Sequence, residues 1–171
     1  MKKVLRDRKV VDDDAVKLDD TAPLPASGKI FVSLTRWRAE KDALKARGNV
    51  GVAIPGELDV AELKDDLGAL PAIALHFGFI KPKPEGGLTF DGRAYSQARL
   101  LRQRYGYQGE IRAAGDVFRD TIFAMDRCGV NVIEPRNGLD PQDALNAFKD
   151  FSLAYQTAAD GQPNIFRRRA P

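Results

Sequence analysis

Short runs of apolar, often β-branched residues recur along this chain, and each is followed by a polar or amphipathic stretch. Five such runs predict strands, at residues 29–34, 50–54, 72–77, 110–114 and 130–133. Most of the runs do not alternate between apolar and polar residues, which is typical of strands covered on both faces. This rhythm predicts an α/β fold with a parallel sheet and helices packed against it.

The stretches after these strands predict helices. They cover residues 35–47, 60–70, 96–105, 116–129 and 141–155. Two helix starts are well marked: Asp59 precedes a helical apolar pattern, and Asp140 precedes a proline at the first helical position. About five βα units are too few for a closed eightfold barrel. The prediction is therefore a single domain with an open parallel sheet or a partial (βα) barrel.

With 171 residues, the chain has the length of one domain. Residues 1–28 are predicted to form an N-terminal segment that precedes the domain. A short strand at 9–11 is expected in it, because acidic residues and two prolines prevent any long helix or strand. Residues 29–157 form the α/β domain, which contains a Gly-, Pro- and Lys-rich loop at 78–90. Residues 158–171 are a basic tail, and we expect a solvated terminus because no aromatic residues alternate with its charges for nucleic-acid binding.

The composition also predicts a compartment. The single cysteine, Cys128, cannot form an intrachain disulfide, and this fits a reducing environment. The first residues lack the apolar core of a secretory signal, and no apolar run is long enough for a membrane span. We therefore expect a cytoplasmic protein without membrane or nucleic-acid partners. Self-association would cover the edges of an open sheet.

Several chemistries lack their motifs in this sequence. Neither a Gly-x-Gly-x-x-Gly fingerprint nor a Gly-Lys-Ser/Thr phosphate loop is present. One cysteine and one histidine are too few for an iron–sulfur cluster or a histidine-rich zinc site. No cofactor and no metal are therefore predicted. His76 lies inside an apolar run and is expected to be a core residue, and Cys128 is expected to be structural.

Ligands of parallel sheets bind beyond the carboxyl ends of the strands. That rule places Glu57, Gly78, Gly115, Asp116 and Glu134 near the functional rim. The block at residues 90–134 is dense in arginine, aspartate and glycine, and two interpretations of it compete.

In the functional interpretation, four arginines converge on an anion, and helix N-termini at Ser96 and Asp116 add N–H donors. Asp116 and Asp120 are the candidate catalytic groups. The ligand-binding candidates are Asp91, Gly92, Arg93, Ser96, Arg99, Arg112, Gly115 and Arg119. In the structural interpretation, Asp116 is a helix cap, Asp116 and Arg119 are a surface pair, and the glycines form turns. Arg112 is the exception, because a guanidinium inside a covered strand demands partners.

Four motifs follow one another between residues 91 and 129. They are Asp-Gly-Arg-x-Tyr-Ser-x-Ala-Arg-Leu-Leu-Arg, Gly-Tyr-x-Gly-Glu-Ile-Arg-Ala, Gly-Asp-Val-x-Arg-Asp and Arg-Cys-Gly. In this order and spacing they resemble the bacterial family called domain of unknown function 934. The resemblance extends more loosely over most of the chain, including residues 10–13 and 151–156. Members of that family are commonly encoded beside assimilatory sulfite or nitrite reductase genes. The resemblance names no catalytic residues.

The resemblance and the arginine density imply an accessory protein of assimilatory sulfate and sulfite reduction. It would bind an oxyanion, a phosphorylated ligand or the reductase itself, or another enzyme of sulfate assimilation. Two alternatives stay open. One is a small α/β enzyme that acts on a phosphorylated or sulfated metabolite, and the other is a non-catalytic structural subunit.

Overall fold

The computed structural model describes residues 1–80 and 89–168. The strands are β1 (Lys2–Arg6), β2 (Lys9–Asp13), β3 (Val16–Lys17), β4 (Ile30–Ser33), β5 (Val50–Ile54), β6 (Ala72–Ile80), β7 (Thr89–Asp91), β8 (Glu110–Gly115) and β9 (Val132–Ile133). The α-helices are α1 (Leu34–Ala39), α2 (Lys41–Arg47), α3 (Arg93–Gln103), α4 (Ile122–Arg127), α5 (Pro141–Asn146) and α6 (Ile165–Arg168). Short 3₁₀ turns lie at Val60–Leu63, Leu67–Ala69, Arg119–Thr121 and Ala147–Lys149.

The centre of the sheet is parallel. Strands β3, β4, β5, β6, β8 and β9 lie side by side in that order and point the same way. All five predicted strands are present as β4, β5, β6, β8 and β9. The predicted α/β fold, a single domain built as a partial barrel, is confirmed.

The N-terminal segment differs from the sequence prediction, because residues 1–28 supply three strands of the sheet. Strand β1 pairs antiparallel with β9, and β2 pairs antiparallel with β1. The two-residue turn between β1 and β2 consists of Asp7 and Arg8, which both have positive φ. Tight hairpin turns need this backbone conformation and usually take it with Asn-Gly or Asp-Gly. Without a glycine, the hairpin gave no recognisable signal in the sequence.

The sheet curls until its two edge strands are consecutive in the chain. Strand β2 ends at Asp13 and β3 begins at Val16, so only two residues separate the outermost strands. Three residue steps span at most about 11 Å. The stretch from β2 to β3 therefore pairs with β1 in its first half and with β4 in its second half. This stretch bridges the open side of the partial barrel.

The two faces of the curled sheet carry different residues. In β6, Ile73, Leu75 and Phe77 belong to the large apolar core, whereas Ala72 and Ala74 belong to a small cluster on the other face. The helices cover the outer face, where Trp37, Leu101 and Met125 are buried. Small residues such as Gly51, Ala53, Ala72, Ala74 and Ala114 leave space on the inner face.

The helices are shorter than predicted. The stretch at 35–47 breaks at Glu40 into α1 and α2, and 60–70 forms two 3₁₀ turns. The caps predicted at Asp59 and Asp140 are present, since their carboxylates accept hydrogen bonds from Ala61 N and Asp143 N at 2.9 and 3.1 Å. The helix predicted at 141–155 is α5, which ends at Asn146 and is followed by the 3₁₀ turn Ala147–Lys149.

The ends of the predicted loop at 78–90 are strands. The last residues of β6 pair antiparallel with β7, with Gly78 opposite Asp91. Residues 81–88 of that loop lie outside the described residues, as do residues 169–171 of the basic tail.

Candidate functional site

The interior of the curled sheet contains a cavity of about 810 Å³. Sites for small molecules typically have volumes of roughly 300–1,000 Å³. Ser33 ends β4, Pro55 follows β5 and Glu134 follows β9, and all three line the cavity. The cavity therefore lies at the carboxyl ends of the parallel strands, where α/β proteins bind their ligands.

Alanines and the N-terminal segment form the walls of the cavity. Ala53, Ala74 and Ala114 line the cavity, and so do residues 15–20 of the N-terminal segment. The N-terminal residues of the lining include Asp19 and Asp20, which are both exposed. The stretch that links the two edge strands thus also encloses the cavity.

Arg112 lies at the inner end of the cavity and is only 2% exposed. Its guanidinium donates two hydrogen bonds to the Asp13 carboxylate, at 2.7 and 2.9 Å, and one to Glu110 at 2.9 Å. The guanidinium also lies over the Phe31 ring, 4.9 Å from its centroid. A guanidinium has more N–H groups than these bonds use. Arg112 Nη1 also lies 3.6 Å from Glu134 Oε2.

These contacts also show how strongly the sheet curls. Asp13 in β2 and Phe31 in β4 are each three strands away from Arg112 in β8. In a flat sheet three strand spacings measure about 14 Å. Arg112 contacts both residues, so the inner face is concave around its side chain.

Arg112 is the centre of a connected ionic network on the inner face. Arg6 joins it through Asp13 and Glu110, at 3.4 and 3.2 Å. Lys29 pairs with Glu110, and Lys2 pairs with Glu134, which lies 3.6 Å from Arg112. The network contains four cations, Lys2, Arg6, Lys29 and Arg112, and three carboxylates, Asp13, Glu110 and Glu134. Within the described residues, the network therefore carries a net charge of +1.

The pKa shifts agree with a charged network. The hydrogen bonds from Arg112 hold the pKa of Asp13 below its ordinary value, although burial acts in the opposite direction. Burial lowers the pKa of Arg112, but the hydrogen bonds and charges of Asp13 and Glu110 outweigh it and raise that pKa. Both partners are thus stabilised in their ionised forms.

His76 lines the same cavity and is exposed, which differs from its expected place in the core. Its neighbours Leu75 and Phe77 point to the apolar core, whereas His76 shares the inner face with Ala74. The apolar neighbours in the sequence therefore belong to the opposite face of the strand, because strand side chains alternate. The sequence signal for this placement is the alternation of small and large side chains in β6.

The His76 ring lies against two glycines. A Cβ added at Gly78 would lie 2.8 Å from His76 Nε2 and 3.4 Å from Asp116 Oδ2. A Cβ added at Gly115 would lie 3.0 Å from the ring and 2.2 Å from the Phe77 carbonyl oxygen. Gly115 also has a φ of +107°, which an L side chain rarely adopts. The His76 ring therefore occupies space that side chains at Gly78 and Gly115 would fill, and Asp116 lies close to the same position at Gly78.

A second polar group lies beside His76 at the rim. Asp91 is buried and accepts hydrogen bonds from both the backbone and the side chain of Arg93. The hydrogen bonds from the Arg93 side chain lower the pKa of Asp91. Glu57 lies 3.6 Å from the same arginine. Gln97 in α3 donates hydrogen bonds to the carbonyls of Pro55, Gly56 and Leu58 and so fixes the adjoining turn.

The structure does not bring the four predicted arginines together. Arg112 is inside the sheet, whereas Arg93 pairs with Asp91 at the rim. Arg99 donates a hydrogen bond to Gln103 on the surface of α3. Arg119 pairs with Asp143 and Asp150. Each arginine contacts a different carboxylate or amide. The spacing of the arginines in the sequence does not specify these partners.

Two helices also begin at other residues than the sequence predicts. Helix α3 begins at Arg93, so Ser96 lies inside it, and Gly92 is the exposed residue before its start. Helix α4 begins at Ile122, six residues after Asp116. Asp120 is exposed and lines a separate shallow depression with Arg119. Of the predicted site residues, Arg112 lines the main cavity, and Gly115 and Asp116 lie beside His76.

Three further observations concern the cysteine, metal sites and membrane spans. Burial raises the pKa of the Cys128 thiol, which disfavours the reactive thiolate. Within residues 1–80 and 89–168, no three His, Cys, Asp or Glu side chains are grouped as a metal site. No helix of this described part is both long and apolar enough to cross a membrane.

The fold and the cavity define a partial-barrel α/β protein with an ionic interior and a pocket of small-molecule size. A family model described as "Bacterial protein of unknown function (DUF934)" matches residues 51–166, and the chain belongs to this family. The predicted resemblance is confirmed. A comparison with curated proteins finds no match.

Proposed function

We propose that the protein is an accessory factor of assimilatory sulfate and sulfite reduction that binds a small anionic ligand in its interior cavity. The excess positive charge of the network, whose members Lys2 and Arg112 line the cavity, is the observation that supports anion binding. The buried groups Arg112, Asp13 and Glu110 together carry one negative charge, so the positive excess of the network comes from the surrounding cations, of which Lys2 and Arg6 are partly exposed. The family resemblance supports the link to sulfite reduction.

The walls of the cavity suit a ligand with a compact charged group. Alanines on β5, β6 and β8 provide an apolar lining, and the charged and polar groups of the lining are Lys2, Lys17, Asp19, Asp20, Ser33, His76, Arg112 and Glu134. Pockets of this kind use a few polar groups to orient the ligand and apolar surface to enclose it. An oxyanion or a phosphorylated or sulfated metabolite satisfies both requirements.

Filling the cavity tests the binding proposal. Ala114→Leu places a larger side chain in the lining without removing any charge, and we expect it to weaken the binding of sulfite, sulfate or phosphate at least about tenfold, since the space is then occupied. Isothermal titration calorimetry with these three anions measures the effect. Ala39→Leu on the exposed surface of α1 is the matched control and should bind like the wild type. Wild-type protein that binds none of the three anions would contradict the proposal.

Growth of a deletion strain tests the role in sulfur metabolism. We expect failure on sulfate and on sulfite as sole sulfur sources, with rescue by sulfide, because the missing step precedes sulfide. Complementation with the wild-type gene should restore growth. Normal growth on all sources would contradict the sulfur role and leave anion binding as a separate question.

A second candidate function is a small enzyme that acts on a phosphorylated or sulfated metabolite. The proximity of Asp116 and His76 favours it, because a carboxylate beside an imidazole can support proton transfer. Release of phosphate or sulfate from a panel of such metabolites would measure turnover. Asp116→Asn should then abolish turnover while leaving the melting temperature unchanged. Equal turnover in this variant would exclude Asp116 from the reaction.

A further inference from the structure

We infer that the surface formed by helix α3 and the C-terminal segment is a docking site for an acidic protein partner that also exposes apolar side chains. This α3–C-terminal surface consists of Arg99, Leu100, Arg104, Tyr155, Phe166 and Arg167, all of which are exposed. Helix α3 packs on the outer face of the sheet, whereas the cavity lies on the inner face. The inference therefore goes beyond the proposed function and does not depend on the ligand of the cavity.

The first argument is an exposed aromatic pair. Tyr155 and Phe166 are 66% and 60% exposed, yet their rings contact each other edge-to-face with centroids 5.6 Å apart. Leu100 adds a third exposed apolar side chain on α3. Single exposed apolar residues are common, but grouped ones mark interaction sites, and aromatic residues are enriched there.

The second argument is that the helix and the segment are fixed to each other. Gln103 of α3 donates a hydrogen bond of 3.2 Å to the Ala158 carbonyl. Leu100 lies one helical turn from Gln103, and Tyr155 is three residues from Ala158, which is at most about 11 Å. Phe166 contacts the Tyr155 ring. The exposed apolar residues of both elements thus belong to one surface.

The third argument is the charge of this surface. Residues 92–109 contain four arginines and no acidic residue, and residues 161–171 contain three arginines and no acidic residue either. Within the described residues, Arg99, Arg104 and Arg167 pair with no carboxylate. Their positive charges are therefore available to an acidic partner, since complementary charge directs protein association.

Charge and ring geometry also distinguish this partner from other occupants. A second copy related by twofold symmetry would place the same patch against itself, and thus arginine against arginine. Nucleic-acid bases stack on flat aromatic faces, but the ring planes of Tyr155 and Phe166 cross at 74° and offer no common platform. A protein surface with apolar side chains among carboxylates complements both the rings and the arginines.

A designed peptide tests the docking site. The probe is a labelled amphipathic helix with leucine on one face and glutamate on the other. We expect the full chain to bind it at least about tenfold more tightly than the same peptide with glutamine in place of glutamate, because the arginines then lack partners. Fluorescence anisotropy measures both affinities. Equal affinity for the two peptides, or no binding of the acidic one, would overturn the inference.

Removal of the aromatic pair shows whether the peptide binds at this surface. Tyr155→Ser combined with Phe166→Ser should weaken binding of the acidic peptide at least about tenfold, as expected for aromatic anchors. Both side chains are exposed, so the melting temperature should not change. Ala114→Leu in the cavity should bind the peptide like the wild type, so this inference and the proposed function can fail separately. Wild-type affinity in the aromatic double variant would overturn the inference.

A charge variant has a matched control. Arg99→Gln combined with Arg104→Gln should weaken binding of the acidic peptide about three- to tenfold. Lys9→Gln combined with Lys45→Gln removes two exposed charges outside the surface and should bind like the wild type. Equal losses in the two double variants would show attraction by net charge alone and would overturn the inference.

The other occupants are tested directly. Sedimentation velocity of the wild type should show a monomer, and a dimer that dissociates in the Tyr155→Ser, Phe166→Ser variant would show that this surface binds a second copy. Single-stranded oligonucleotides and vesicles of anionic phospholipid should bind more weakly than the acidic peptide. Such a dimer, or tighter binding of either competitor, would overturn the inference.

Discussion

Replacing Arg112 by methionine is expected to lower the free energy of unfolding by about 3–5 kcal/mol. The guanidinium is 2% exposed and holds Asp13 and Glu110 with three hydrogen bonds. Methionine can still pack on Phe31, but it leaves two buried carboxylates without their main partner. Arg6 and Lys29 compensate in part, so the lower end of the range is expected. Urea denaturation measures the change.

Two further variants test the reason for this loss. Arg99→Met removes an exposed arginine and should change stability by no more than about 0.5 kcal/mol. Arg112→Met combined with Asp13→Asn should be more stable than Arg112→Met alone, because the second change removes one unpaired charge. A double variant that is less stable than the single one would show that packing around Arg112, and not its charge, dominates.

Acid provides a second measurement on the same network. The pKa of Asp13 is lowered in the folded protein, so its contribution to stability is complete above the unfolded pKa of about 4 and is lost as the pH falls through the lower folded pKa. In Arg112→Met this pKa should rise toward its ordinary value. The variant should therefore lose less stability than the wild type when the pH is lowered below about 4.

The parallel strands could be predicted because short, continuous apolar runs are typical of strands that are covered on both faces. Runs such as Val50–Ile54 are buried on both faces, and this burial leaves a continuous apolar pattern in the sequence. The cavity lies at the carboxyl ends of these strands, where a ligand site is predicted for a parallel sheet. Gly115 and Asp116 were identified in this way, and the structure places both beside the cavity.

The partners of the ionic network could not be predicted. Arg112 needs a partner inside the sheet, but its partner Asp13 lies 99 residues away in the sequence, within an acidic cluster that resembles a strand breaker. Only the curl of the sheet brings the two together. The same limit explains why His76 was assigned to the core: its apolar neighbours are adjacent in sequence but face the other side of β6.

The helices illustrate a different limit. The apolar spacing of Val60, Leu63, Leu67 and Leu70 is helical, yet the segment forms two 3₁₀ turns. Asp66 lies between these turns, is buried, and accepts a hydrogen bond of 3.1 Å from the Trp37 indole. A tertiary contact of this kind can outweigh the local helical preference, which amounts to only a fraction of a kcal/mol per residue.

The N-terminal hairpin is essential to this architecture, because it supplies both the bridge across the barrel and the main partner of Arg112. Replacing Leu5 by alanine is therefore expected to lower the free energy of unfolding by about 2–5 kcal/mol, the range for a fully buried leucine. Leu5 is 1% exposed in the main core and lies opposite Ile133 of β9. Chemical denaturation followed by circular dichroism and by Trp37 fluorescence measures the change.

Leu153→Ala is the matched control, because Leu153 is 51% exposed and its truncation should change stability by about 0.5 kcal/mol or less. The two spectroscopic signals should also report one transition, since Trp37 packs in the same apolar core as Leu5. Equal stability of the Leu5 and Leu153 variants would show that β1 is not packed into the core. Two separate transitions would mean that the hairpin unfolds independently, in which case Arg112 would lose Asp13 and keep Glu110 before the barrel itself opens.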